Sequence, residues 1–391
     1  MHSKLTALQT ISDIRPQTGG TARVVVDLAD ALSKHPSIQP VIVTQSFKND
    51  ETLPSSSARV QRMIIEARPL NSLRFGVPFY KHLRDIVNSQ EKPIIHNHGL
   101  WAPENHWAAH LSRSNNIPMV SQPHGMLEPW SLSQKAWKKH VALMLFQRTD
   151  LTTAKALIAT SSEEYENLRQ LGLKQPIAVI PNGVRIDVPA DINLDQRLPI
   201  QKIKTALFLS RVHQKKGLSN LIRAWAQIRS LDWKLQIAGP DEGGHLQEVM
   251  TLASELGIDK SIDYVGTVEG EKKAELYRSA NLFVLPTHSE NFGVVIAEAL
   301  ANGVPVITTR GAPWSDLETF KCGWWVDIGV KPLVHALCDA MALSDDERRA
   351  MGERGREYVQ RYNWDIITNQ TVNVYRWALN ISPAPECLRM N

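Results

Sequence analysis

Cysteine is scarce in this chain. Cys322, Cys338 and Cys387 stand far apart. No two have metal-ligand spacing, and an odd count argues against a disulfide framework, so a reducing compartment is expected. No run approaches the roughly 18 apolar residues of a membrane span. The first fourteen residues lack the apolar core and small-residue cleavage site of a secretory leader. Repeats of solenoid length and low-complexity segments are absent. So is a Gly-x-Gly-x-x-Gly turn after an early strand with an acid beyond it, which argues against a nicotinamide dehydrogenase.

What is present is an ordinary globular composition, 43% apolar and 21% charged, over 391 residues. That length exceeds one hydrophobic core and suits two domains. The net charge of +4 is unevenly spread. Residues 1–184 hold 20 Lys+Arg and 14 Asp+Glu (+6), so the remainder holds 24 and 26 (−2). A basic first half suits an anionic partner, such as a phospholipid surface or a phosphate-bearing acceptor; a solvated basic face fits equally well.

Short apolar runs at 6–11, 41–44, 93–96, 119–121, 157–159 and 177–180 read as strands alternating with amphipathic helices. The alternation restarts with runs at 206–210, 234–238, 263–265, 282–286 and 304–308, separated by helical segments at 218–228, 245–256, 271–280, 294–301 and 332–343. This pattern predicts α/β architecture with two doubly wound parallel sheets. Pro181, Asn182, Gly183 and the irregular stretch 188–197 mark the join, giving domains 1–184 and 185–391. A helix-length segment at 364–379 closes the chain.

His288, Ser289, Glu290, Asn291, Phe292 and Gly293 follow an apolar strand and precede a helix carrying Val294 and Glu298. Free backbone N–H groups and the helix dipole favour an anion at such a start. Carboxylates accept paired hydrogen bonds from vicinal hydroxyls, so Glu290 and Glu298 suit sugar or ribose. Locally, Glu290 also reads as a helix cap and Glu298 as an ordinary helix glutamate. The loop after the first strand of the second set carries Arg211, Lys215 and Lys216. In the first domain, Gly19 and Gly20 separate the first strand from the first helix and allow close backbone approach to phosphate or sugar. His96, His98 and Trp101 follow one strand, and His124 follows the next, where α/β folds place ligands. A zinc site from His96, His98 and His124 lacks an obvious completing acid or cysteine. The segment 127–148 mixes Trp137, Lys135, Lys138 and Lys139 with apolar residues; it reads either as an interfacial amphipathic helix or as a helix packed on the sheet.

The run from His288 to Pro313, with two glutamates separated by seven residues, resembles the signature of family 4 retaining glycosyltransferases of the GT-B fold. The resemblance implies two Rossmann-like domains facing across a cleft. The first would bind acceptor, the second a nucleotide-sugar donor, with residues from about 364 packing back on the first. It implies that Glu290 contacts the donor sugar and that Glu298 holds the ribose. The backbone of Asn291, Phe292 and Gly293 would lie along sugar and phosphates, with Val294 beside it. Arg211 and Lys216 resemble the family's basic pair on the diphosphate, although Ser210 stands where glycine is common and adjacent Lys215 competes for the role. Gly239 ends the next strand as in the family. Val265 lies in a segment whose backbone would face the base, and Gly19 and Gly20 resemble the first-loop glycines. His124 resembles the active-site histidine, with His98 and Trp101 on the acceptor side. Arg211, Lys216, Glu290 and His124 are thus the expected catalytic set, without metal or cofactor beyond a UDP- or GDP-sugar co-substrate.

The implied activity is retaining transfer to a glycan or lipid-linked saccharide in envelope, lipopolysaccharide or capsule synthesis. It would take place in the cytoplasm or peripherally on the anionic inner leaflet, without a nucleic-acid partner. A non-catalytic nucleotide-sugar-binding regulator and a GT-B epimerase are the alternatives.

Overall fold

A computed structural model describes residues 4–47, 50–67, 76–186 and 203–390. The irregular stretch 188–197 lies outside them. Two compact units divide the chain: Met1–Gly183 with Trp364–Asn391, and Val184–Asn363.

The first unit runs β1 (Leu5–Ile11), α1 (Gly20–Lys34), β2 (Ile38–Phe47), β3 (Gln61–Ala67), α2 (Val77–Asn88), β4 (Pro93–His98), α3 (Pro103–Asn115) and β5 (Met119–Gln122). Three short helices follow, α4 (Pro129–Ser133), α5 (Ala136–Ala142) and α6 (Arg148–Thr152), then β6 (Ala156–Ala159), α7 (Ser162–Gln170) and β7 (Ile177–Val179). The second unit runs β8 (Lys204–Leu209), α8 (Leu218–Ile228), β9 (Trp233–Ala238), α9 (His245–Glu255), β10 (Ile262–Gly266), α10 (Gly270–Ser279) and β11 (Leu282–Leu285). It continues with α11 (Val294–Ala301), β12 (Val306–Thr309), α12 (Asp316–Thr319), β13 (Gly323–Val326), α13 (Val330–Ala342) and α14 (Asp345–Val359). The chain then returns to the first unit as α15 (Trp364–Ala378) and β14 (Leu388–Arg389).

The first sheet has the order β14-β7-β6-β5-β4-β1-β2-β3, parallel except for the antiparallel β14–β7 pair. The second, β10-β9-β8-β11-β12-β13, is parallel throughout. Strands covered by helices on both faces are buried along their length, as β1, β5, β6, β11 and β12 are, and in β6 and β11 the run is apolar throughout. Strand order reverses at β1 in one sheet and at β8 in the other. The crevice outside the carboxyl ends at such a point is where open α/β sheets take ligands. The loops after β1 and β4 flank it in the first unit, and those after β8 and β11 in the second.

Although residues beyond 363 count with the second domain by sequence, they belong to the first unit by their contacts. Ile367, Val372, Val374, Tyr375 and Ala378 share a core with Leu5, Leu28, Leu32 and Ile94. Trp364 and Trp377 pack against that core. A Cβ on Gly183 would lie 2.3 Å from the Trp364 ring, so only glycine fits there.

Segment 127–148 is not one helix. Lys135 takes a left-handed turn (φ 50°) between α4 and α5, and a π-helical turn, Leu143–Gln147, joins α5 to α6. Lys139 reaches back to the Ser131 carbonyl at 2.5 Å. The segment exposes Trp137, Met144 and Leu145 by 69–75%. It also borders a cavity of about 230 Å³ lined by Leu127, His140, Leu143, Leu151 and Leu173. Among the described residues, no helix is long and apolar enough to cross a membrane.

Candidate active site

In the second unit the loop after β8 is pressed onto the end of β11. Gly217 sits at φ +70°, and a Cβ there would lie 1.9 Å from the Pro286 carbonyl oxygen. The His288 amide donates to the Lys215 carbonyl at 2.8 Å. This seam carries Lys216 Nζ onto the Glu290 carboxylate, 74 residues away in sequence. Lys216, and not its neighbour Lys215, makes this ion pair. Both partners are largely shielded, at 9% and 17% side-chain exposure. Arg211 is exposed and pairs instead with Glu242.

Glu290 does not cap the helix. The N-cap of α11 is Gly293, in the left-handed region (φ 80°), with no side-chain cap hydrogen bond. The first-turn amides of Val294 and Val295 thus meet no capping side chain, the condition under which a helix start favours an anion. A Cβ on Gly293 would approach Glu290 Cγ at 3.0 Å, so glycine leaves room for the carboxylate arm. The Glu290 amide donates to the Gly311 carbonyl at 2.6 Å. The Phe292 side chain faces the core. Its ring is buried against Trp314 and Tyr362, and its carbonyl accepts from Trp314 Nε1. Asn291 is half-buried beside it.

Glu298 is no idle surface acid. Lys273 Nζ lies 2.7 Å from one oxygen and the Tyr277 hydroxyl donates to the other at 2.8 Å. Burial, then the Glu298 charge, pushes the Tyr277 hydroxyl well above its ordinary pKa, so it stays a donor. The ends of β8, β9 and β10 are stitched at Gly239. A Cβ there would lie 1.9 Å from the Ser210 carbonyl oxygen, its amide donates to the Gly266 carbonyl at 2.8 Å, and its carbonyl accepts from the Tyr264 hydroxyl at 2.9 Å. Val265 stands half-open beside this seam.

In the first unit, Gly19 (φ 88°) and Gly20 open α1. No side chain caps its amides, and a Cβ at either glycine would meet nothing within 4 Å. His98, at the end of β4, hydrogen-bonds Gln9 at 2.8 Å through Nε2 and His124 at 3.0 Å through Nδ1. His96 stacks on His98 and meets the Tyr375 hydroxyl at 2.7 Å. Burial lowers all three histidines: His96 and His124 to about 3, and His98 well below its ordinary value, with the neighbouring imidazoles adding to the shift for His96 and His98. Near neutral pH the cluster is uncharged. His124 occupies a left-handed backbone position (φ 53°), held because the next amide, Gly125, donates to buried Glu164 at 2.6 Å. Trp101, also left-handed, is fixed by its amide on Gln147 and carries Lys139 above its ring. Among the described residues, no group of three or more His, Cys, Asp or Glu is arranged to hold a metal ion.

Supporting residues absent from the sequence reading are Gln9, Tyr375, Glu164, Glu242, Lys273, Tyr277 and Trp314. Lys273 and Tyr277 carried a signal of a kind. They are four apart on one helix face, where they could reach a common acid. The others are joined to their partners only by the fold.

Residues 18–188 match the family described as Glycosyltransferase Family 4, and residues 191–358 match Glycosyl transferases group 1. A D-inositol 3-phosphate glycosyltransferase of Corynebacterium urealyticum is 28% identical over 303 residues, 72% of this chain and 71% of that protein. Sucrose-phosphate synthase from Thermosynechococcus elongatus superposes with a TM-score of 0.80 at 22% identity, over 97% of this chain and all of that one. The Anabaena protein HepE, solved with UDP-glucose, does so with 0.72 at 19%, over 95% and 99%.

Proposed function

As the chain belongs to the group 1 glycosyltransferases of family 4, we propose that it moves a sugar, with retention of anomeric configuration, from a UDP- or GDP-sugar to a hydroxyl of a glycan or lipid-linked saccharide. The observation that carries this reading is the shielded Lys216–Glu290 pair beside the uncapped start of α11. A leaving nucleoside diphosphate develops negative charge, and a fixed cation with free helix amides stabilises it with no reorganisation. Glu290 orients the sugar through its hydroxyls, and Glu298, set by Lys273 and Tyr277, takes the ribose. Arg211 turns from Glu242 to the phosphates. The acceptor hydroxyl attacks the face from which the diphosphate leaves, and that phosphate receives its proton. No protein nucleophile and no metal ion are required.

The first unit takes the acceptor, with His98 and Trp101 on that side and His124 near the sugar. Its basic charge suits an acceptor bearing phosphate, and the Corynebacterium relative is named for such a polyol. Transfer would be measured as labelled sugar passed from donor to acceptor. Lys216→Ala and Glu290→Ala are expected to lower it by about 10²–10³-fold while thermal unfolding stays cooperative. Near wild-type turnover in both would refute the assignment, and donor isomerisation without acceptor would identify an epimerase.

An envelope role, on the cytoplasmic face of an anionic membrane, is the setting that fits best. No acid lies between Pro129 and Thr149, while Lys135, Lys138, Lys139 and Arg148 surround exposed Trp137, Met144 and Leu145. That combination favours an anionic interface. Co-sedimentation with phosphatidylglycerol vesicles, weak with phosphatidylcholine and lost in Trp137→Ser/Lys138→Glu, would support it. Equal recovery with both lipids would remove it.

A further inference from the structure

Four buried groups outside the donor site form one directed hydrogen-bond chain ending at His124. Gln9 and Tyr375 are fully buried, and His96 and His98 nearly so. The Gln9 side-chain amide donates through Nε2 to the Tyr375 hydroxyl at 3.1 Å. A phenol has a single proton, so with that acceptor role filled Tyr375 gives its own to His96 Nδ1, 2.7 Å away. The amide so oriented presents Oε1, an acceptor only, to His98 Nε2 at 2.8 Å. His98 must therefore carry its proton on Nε2 and keep a lone pair on Nδ1. That lone pair faces His124 Nε2 at 3.0 Å and accepts from it. With the amide in this orientation the donations follow in turn, and the last leaves His124 neutral with its proton on Nε2. Among the described residues, His124 Nδ1 has no hydrogen-bond partner.

We propose that Gln9 and Tyr375 are positioning residues that set the tautomer of His124 through His98, so that His124 offers an unprotonated Nδ1. The consequence concerns what His124 recognises, and it rests on the reading above that His124 lies near the transferred sugar. A bare Nδ1 accepts from a hydroxyl, whereas an Nδ1–H would donate to an anionic phosphate oxygen. The chain thus selects a sugar hydroxyl as the His124 ligand. Tyr375 comes from α15, so the segment that returns to the first unit sets the chemistry of the loop after β5 as well as covering the core.

The opposite arrangement, with the Gln9 amide turned over, is also self-consistent and puts the His124 proton on Nδ1; the two are told apart by nitrogen NMR of ¹⁵N-histidine-labelled full chain near neutral pH. The His124 signals are assigned by their loss in His124→Gln. In the wild type, His124 Nε2 is expected to show a directly bonded proton and Nδ1 the shift of a bare imidazole nitrogen. Gln9→Leu removes the acceptor, and Tyr375→Phe frees the amide to turn. Each should shift His124 to a mixed or reversed tautomer while the unfolding transition remains. An Nδ1–H or averaged signal in the wild type overturns the proposal. So does an unchanged signature in Tyr375→Phe, which keeps the test alive if Gln9→Leu does not fold. The spectrum needs no substrate, so a failure of the transfer assay leaves this result standing, and the reverse also holds.

Discussion

Lys216 and Glu290 are each only partly meaningful alone, since a buried lysine or a loop glutamate has many ordinary explanations. Their pairing 74 residues apart sets both against the same helix start. The histidine cluster makes a residue-scale prediction with a definite sign. His96 ionises at about 3 in the folded chain against an ordinary 6.5, because burial disfavours its charged form. Between those two values the unfolded chain binds more protons, so stability is full above pH 6.5 and is lost as pH falls toward 3. Each such histidine contributes a slope of up to about 1.4 kcal/mol per pH unit. Urea midpoints taken between pH 7.5 and 5 should fall with pH, and His96→Gln should flatten the slope by about one proton's worth. An identical slope in the variant would show that His96 is not buried neutral.

At the scale of elements, two glycines in the second unit should fail differently. Gly217→Ala places a methyl group 1.9 Å from a backbone oxygen at φ +70°, where neither side can yield. A loss of about 3 kcal/mol or more in urea unfolding is expected. Gly293→Ala meets only the flexible Glu290 and Ile296 side chains, at 3.0 and 3.1 Å. Its stability cost should stay near about 1 kcal/mol, while transfer falls further because Glu290 is pushed from Lys216. Unchanged transfer in Gly293→Ala would contradict the placement of that carboxylate. The sequence made the helices α8 and α11 legible to the residue, because apolar periodicity and flanking glycines agree there. It did not reveal β3 or β13. These are edge strands, with Met63 and Ile64 exposed in one and half-buried Trp324 and Trp325 in the other, so neither forms a buried apolar run. The charged α14, Asp345–Val359, hid its apolar face behind seven acids and arginines in its first ten residues and was likewise unread. Segment 127–148 has helix-like composition throughout, but nothing local foretells the left-handed Lys135 that breaks it.

At the scale of the whole molecule, two sheets place comparable features at their switch points: an uncapped helix start after a glycine, and polar side chains on the neighbouring loop. The residues around the start of α11 stood out in the sequence because a long ordered motif carries them. Gln9 and Tyr375, 366 positions apart, meet only because α15 returns to the first unit. No periodicity announces such a pairing. The proposed transfer requires that the second unit bind a sugar nucleotide. Thermal unfolding against a panel of UDP-, GDP- and ADP-sugars tests this most directly, since a ligand at a hundred times its Kd stabilises by about 2.7 kcal/mol. One nucleotide class should raise the midpoint of the wild-type chain, with the rise sharply reduced in Lys216→Ala and in Glu298→Ala. No rise with any sugar nucleotide at millimolar concentration, or a full rise in both variants, would contradict it.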